Sequence, residues 1–171
     1  AAGIRSLVVD FRRAPEHPYP AQLDDAETAY RWLLKQGYQP QNIGSTGHSI
    51  GGTLAVMLPL RLLAKGEPTP GVIVSISPLA DFTLTNPKVD ENEEHDKMLS
   101  RTILEQMRGA YVQDPDLDFA DPKLSLVNAD LTGLPPTVVH YGAYETLAGD
   151  GAALAQRLTE FKVTSEVYPL P

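Results

Sequence analysis

Gly47-His48-Ser49-Ile50-Gly51-Gly52 places a serine between two glycines, after a short β-rich run and before a long apolar helical run. This is the G-x-S-x-G spacing of a nucleophile elbow, a sharp strand-to-helix turn that presents a serine hydroxyl for attack. A Cβ at either Gly47 or Gly51 is expected to collide with neighbouring backbone. The helix behind the serine aims its N-terminal N–H groups and positive dipole end at the same spot. The Ile50 backbone N–H would therefore stabilise an oxyanion forming there. The chemistry such a turn suits is acyl transfer through a serine ester.

The elements that must hold this turn alternate along the chain. Residues 4–11 read as a buried strand, after which Pro15, Pro18 and Pro20 forbid regular structure. Helical spacing covers 23–35, with Leu23, Ala26, Tyr30 and Leu33 on one stripe and Asp24 and Asp25 in the first turn. Strands are expected at 43–47, 71–77, 137–141 and 163–168, and helices at 50–65, 100–111 and 150–161. Residues 88–97 read as a charged, solvated loop. Alternating strands and helices imply an α/β fold, a mostly parallel sheet with helices on both faces. Sites in such sheets form beyond the carboxyl ends of the strands, where Ser49 and the segment Gly142-Ala143-Tyr144-Glu145 both fall.

Composition narrows the function classes. A chain of 171 residues, 42% hydrophobic, fits one domain with one core. The net charge of −8 argues against nucleic acid or an anionic membrane as partner. Cysteine is absent, which rules out disulfides and Cys-based metal sites. The longest apolar stretch carries Arg61 and Pro59 and is too short to span a bilayer. The first residues lack the order of a signal peptide, so the expectation is a cytoplasmic rather than a secreted chain. Nothing in the sequence reads out an oligomeric state.

Four histidines are present. His17 lies in the proline loop, His95 in the charged loop and His48 in the elbow itself. His140, in a strand, is the stand-in base to weigh, but a ring so embedded reads more simply as a packed core histidine. None has a partner at metal-ligand spacing, so no metal site is expected. Arg12 and Arg13 follow a strand and are expected to pair with Glu16 or Asp24. Asp150 opens a helix and reads as its cap.

The segment Val8-Val9-Asp10-Phe11-Arg12-Arg13-Ala14-Pro15-Glu16-His17-Pro18-Tyr19-Pro20-Ala21, with Leu23-Asp24-Asp25-Ala26 after it, closely resembles the hormone-sensitive-lipase-like esterases, a branch of the α/β-hydrolases. Ser77-Pro78-Leu79-Ala80-Asp81, Asp121-Pro122-Lys123-Leu124-Ser125 and Leu134-Pro135-Pro136-Thr137 are similar to the same branch, in the same order. The branch usually flanks its serine with Asp and Ala, where this chain has His48 and Ile50. Its acid loop usually carries Asp in a Tyr-Asp-Pro-Leu frame; Tyr144-Glu145-Thr146-Leu147 fits that frame with Glu in the acid position.

The resemblance implies a serine carboxylesterase acting on small, short-acyl esters without a cofactor, with Ser49 as nucleophile, Glu145 as acid and the Ile50 N–H in the oxyanion hole. It further implies that residues 1–171 are a partial α/β-hydrolase domain, an interior piece of a longer polypeptide. An H-G-G-G loop would precede the Val8-Val9-Asp10 strand and the base histidine would follow Pro171. The strand at 4–11 and the strand at 43–47 would then flank a gap, because the strand between them precedes the H-G-G-G loop. Each buried backbone group left unpaired along such a gap costs about 1–3 kcal/mol. Two other readings stay open: a binding module that keeps the fold without a complete triad, and another acyl-transfer enzyme such as a lactonase, amidase or acyltransferase.

Overall fold

The computed structural model describes residues 3–171. Four strands, β1 (Gly44–His48), β2 (Val72–Ile76), β3 (Thr137–Gly142) and β4 (Ser165–Leu170), form one sheet in the order β1-β2-β3-β4. Every pair is parallel. The helices are α1 (Ala21–Lys35), α2 (Ile50–Ala64), the short α3 (Lys88–Glu91), α4 (Arg101–Tyr111) and α5 (Ala148–Glu160). All four strands from 43 onward fall where the β-rich runs put them, within two residues.

Parity along the strands fixes which face is covered. Ile73 and Ser75 of β2 stand in register with Thr137 and Val139 of β3, and all four are fully or nearly fully buried. α2 lies on this face, where the Ser75 hydroxyl donates to the Gly52 carbonyl at 2.9 Å. α5 lies on it too: a Cβ on Gly151 would sit 2.5 Å from the Tyr141 ring, which shares the parity of Thr137 and Val139. The opposite face carries Val72, Val74, His140 and Tyr168 and stays partly exposed. Among the described residues the expected helical cover is thus supplied on one face. α2 explains its place by composition, since Leu54, Val56, Met57, Leu58 and Leu62 leave it almost no polar side.

α1 packs on α2 through a charged seam. Glu27, largely buried, accepts from Arg31 on its own helix and from Lys65 beyond the end of α2, at 2.6 to 3.1 Å. The Lys65 ammonium is the first cause of a Glu27 carboxyl held down at about 2.

The strand expected at 4–11 does not form. These residues run extended without a sheet partner, with Ile4 79% and Val8 87% exposed. A ladder needs a neighbour within hydrogen-bonding distance. A cleft of about 530 Å³ instead separates Leu7, Val8, Val9 and Phe11 from β1. The gap foreseen between these two segments is therefore present. Arg12 pairs with Asp25 rather than with Glu16 or Asp24, and Arg13 pairs with Asp10.

Candidate active site

Ser49 joins β1 to α2 with φ 56° and ψ −126°. Left-handed φ on a non-glycine residue stores about 1–3 kcal/mol of strain, which the surrounding structure must hold. It is held at both ends: the Ser49 N–H donates to the Ile76 carbonyl at 2.9 Å, and the Ser49 carbonyl accepts from Thr53 N–H at 3.1 Å. A Cβ on Gly47 would overlap the Gly51 carbonyl, as expected. Gly51 itself faces open space, contrary to expectation. The second close approach belongs to Gly52, where a Cβ would lie 2.8 Å from the Ile76 carbonyl oxygen. The turn leans on β2, so the glycine one position later is the constrained one.

Ser49 lines a cavity of about 440 Å³ with Phe11, Leu79, Phe82, Leu104, Met107 and Tyr111. Ile50, the first residue of α2, borders both this cavity and the cleft beside β1. As the first helical N–H, its backbone donor has no intrahelical acceptor.

Glu145 lies in the turn between β3 and α5. Its Oε2 accepts from the Ser77 hydroxyl at 2.9 Å. Its Oε1 is buried and has no hydrogen-bond partner among the described residues. Ser77 follows β2, just as Ser49 follows β1, and also takes a positive φ, 45°. Its N–H donates to the His140 carbonyl at 2.7 Å, so the hydroxyl is anchored to β3. Ser77 opens the segment Ser77-Pro78-Leu79-Ala80-Asp81 that resembles the branch, but nothing in that segment assigns it a role.

Asp150 is not a helix cap. It sits in the first turn of α5, 1% exposed, and its carboxylate reaches away from the helix. Oδ2 accepts from the Ala80 and Asp81 N–H groups at 2.8 and 2.9 Å, and Oδ1 from the Asn86 amide at 3.0 Å. Burial pushes this carboxyl up to about 6, against the lowering effect of those hydrogen bonds. Asp150 thus ties the loop after β2 to α5.

Residues 88–97 are not the simple solvated loop expected. Val89 and Asn92 are buried, and Asn92, His95 and Asp96 pack on the turn that carries Glu145. The run of acidic residues hid two polar side chains, Asn92 and Asp96, that bond the neighbouring turn. His140 stacks on Tyr168 with centroids 4.9 Å apart, on the partly exposed face of the sheet rather than in the core where it was expected. No group of three metal-ligating side chains gathers among the described residues, and no described helix is long and apolar enough to cross a membrane.

A family model described as the alpha/beta hydrolase fold matches residues 1–171. The chain is 38% identical over 162 residues to a protein named "Esterase" from Acinetobacter venetianus, covering 94% of this chain and 53% of that protein. It is 36% identical over 171 residues to an "Acetyl-hydrolase" from Streptomyces hygroscopicus, covering 99% and 56%. Among solved structures, an esterase from the bacterial hormone-sensitive lipase family superposes with a TM-score of 0.90 at 35% identity, over 94% of this chain and 54% of that one. The chain spans about half the length of the relatives it matches.

Proposed function

From a chain that belongs to the α/β-hydrolase fold family, in its hormone-sensitive-lipase-like branch, we propose a serine carboxylesterase working through an acyl-enzyme. Ser49 Oγ attacks the ester carbonyl and passes its proton to an imidazole. The Ile50 N–H donates to the oxyanion, the alcohol leaves with that proton, and water then releases the acid. Glu145 orients the imidazole and stabilises its charged form.

The observation that carries this reading is the buried, unpartnered Glu145 Oε1. A carboxylate oxygen without a donor is costly to bury. An imidazole N–H arriving there would complete it. The end of β4 supports the same arrangement, because the Leu170 carbonyl accepts from Ala143 N–H at 2.7 Å. A histidine following β4 would emerge beside the acid loop. Names given to relatives, esterase and acetyl-hydrolase, agree with ester cleavage.

The test is labelling by a fluorophosphonate probe in the polypeptide that carries these residues. Wild type should be labelled on the peptide containing Ser49, and Ser49→Ala should not be labelled. Equal labelling of both would assign the nucleophile elsewhere.

A finer part of the proposal concerns chain length. Ile50 borders the Ser49 cavity, and a bulky side chain there narrows the space for an acyl tail. Acetate to butyrate esters should be preferred over octanoate. Ile50→Ala should shift the kcat/KM optimum toward longer chains by about tenfold, the equivalent of about 1.4 kcal/mol of relieved overlap. An unchanged profile with a lower melting temperature would instead assign Ile50 to the core beside α2.

A further inference from the structure

We propose that Asn92 and Asp96, in the segment between β2 and α4, are positioning residues for Glu145, clamping the turn that carries it from both sides. The inference rests on the reading of Glu145 as the acid partner of the base. The Asn92 side-chain amide donates to the Ala143 carbonyl at 3.1 Å and to the Glu145 carbonyl at 2.9 Å. Asp96 Oδ2 accepts from Thr146 N–H at 3.0 Å and from the Thr146 hydroxyl at 3.1 Å. Four hydrogen bonds from one segment therefore bracket one residue, two through Asn92 before and at Glu145, two through Asp96 immediately after it.

The clamp is itself held. Asp96 Oδ1 accepts from Met98 and Leu99 N–H, both at 2.9 Å, which closes its own turn. Burial works to raise the Asp96 carboxyl, but the N–H donors of Thr146, Leu99 and Met98 outweigh it and keep the group below its ordinary range. Asn92 is 6% exposed, and Val89 and Leu99 anchor the segment on the core.

The turn needs such support for a physical reason. Glu145 has three side-chain torsions, and the Ser77 hydroxyl restrains only Oε2. The direction of Oε1 then depends on where the backbone of 143–146 is held. A shift of about 1 Å in a positioning contact can cost about a hundredfold in rate. Glu145 and the clamp form one coupled unit, and coupled units give non-additive substitutions.

The experiment is a double-mutant cycle on the polypeptide carrying these residues, with hydrolysis of p-nitrophenyl butyrate as readout. Asn92→Ala should lower kcat about ten- to a hundredfold with KM within about twofold. The acid limb of its kcat/KM profile should move to lower pH, because a misplaced carboxylate no longer favours the protonated imidazole. In a Glu145→Gln background, Asn92→Ala should cost less than about threefold. Thr146→Val, which removes only the hydroxyl bond to Asp96, should show the same pattern at smaller amplitude, and it serves if Asn92→Ala does not fold. Equal losses in both backgrounds, or none in either single variant, would overturn the clamp while Glu145 keeps its role. Wild-type kcat in Glu145→Gln alone would overturn the acid reading and the clamp with it.

Discussion

Replacing Glu145 with Gln should lower kcat by about ten-thousandfold, with KM nearly unchanged. The substitution keeps size and one acceptor but removes the charge that stabilises the imidazolium in the transition state. Gln also offers an amide N–H where Oε1 or Oε2 stood. The Ser77 hydroxyl can turn to accept it, whereas an imidazole N–H facing that amide cannot be accommodated in the productive tautomer. Steady-state hydrolysis of p-nitrophenyl acetate against pH measures this. A large loss in Asp150→Asn with none in Glu145→Gln would transfer the acid role to the other carboxylate. The geometry speaks for Glu145: its Oε1 is free to receive a donor, while both Asp150 oxygens are occupied by backbone and amide donors.

The second large effect concerns stability. Asp150→Ala strands three donors, the buried N–H of Ala80 and the partly buried N–H of Asp81 and Asn86 amide. At about 1–3 kcal/mol each, and allowing for partial relaxation, the loss should be about 3–5 kcal/mol in chemical unfolding. The same carboxyl gives a pH signature. Its folded value of about 6 lies above its ordinary 3.8. Between these values the folded chain keeps a proton that the unfolded chain releases. Its stabilising contribution is therefore complete below about 3.8 and is lost as pH rises through about 6, over about 3 kcal/mol in all. Other carboxyls, Glu27 among them, titrate with the opposite sign. The clean measure is the stability of wild type minus that of Asp150→Asn, which should fall between pH 4 and pH 7. A difference that stays flat with pH would mean that Asp150 is ionised throughout.

The elements that were legible in the sequence are those set by local pattern. α2 is almost wholly apolar, β2 is a β-branched run between Pro70 and Pro78, and β3 is one introduced by Pro136, so burial and propensity agree there. Residues 4–11 have an equally good strand composition but no partner in reach, and a strand exists only as a pair. At the elbow, the motif put Ser49 at the turn between β1 and α2, where it lies, but pointed to Gly51, because a spacing pattern does not contain the approach of β2 that constrains Gly52. Glu145 was proposed through its frame beside Tyr144. Ser77, Asn92 and Asp96 were not, since each acts across more than 45 residues of chain. A polar residue in a charged stretch has no local signature of being turned inward. Asp150 was misread for the same reason: its position in the first turn suggested a cap, while its partners lie 64 to 70 residues away.

The two outer strands of the sheet differ in how they meet solvent and other chains. β4 carries Glu166 and Pro169, a charge and a residue without an N–H, which discourage a further strand from docking there. β1 reads Gly-Ser-Thr-Gly-His, short and uncharged, with no proline to blunt it. Its outward backbone groups face the cleft below Leu7 and Val9 rather than a ladder. One margin of the sheet is finished as a boundary and the other is left adhesive. In a preparation of residues 1–171 alone, an incoming strand would find unpaired backbone groups along β1 rather than along β4.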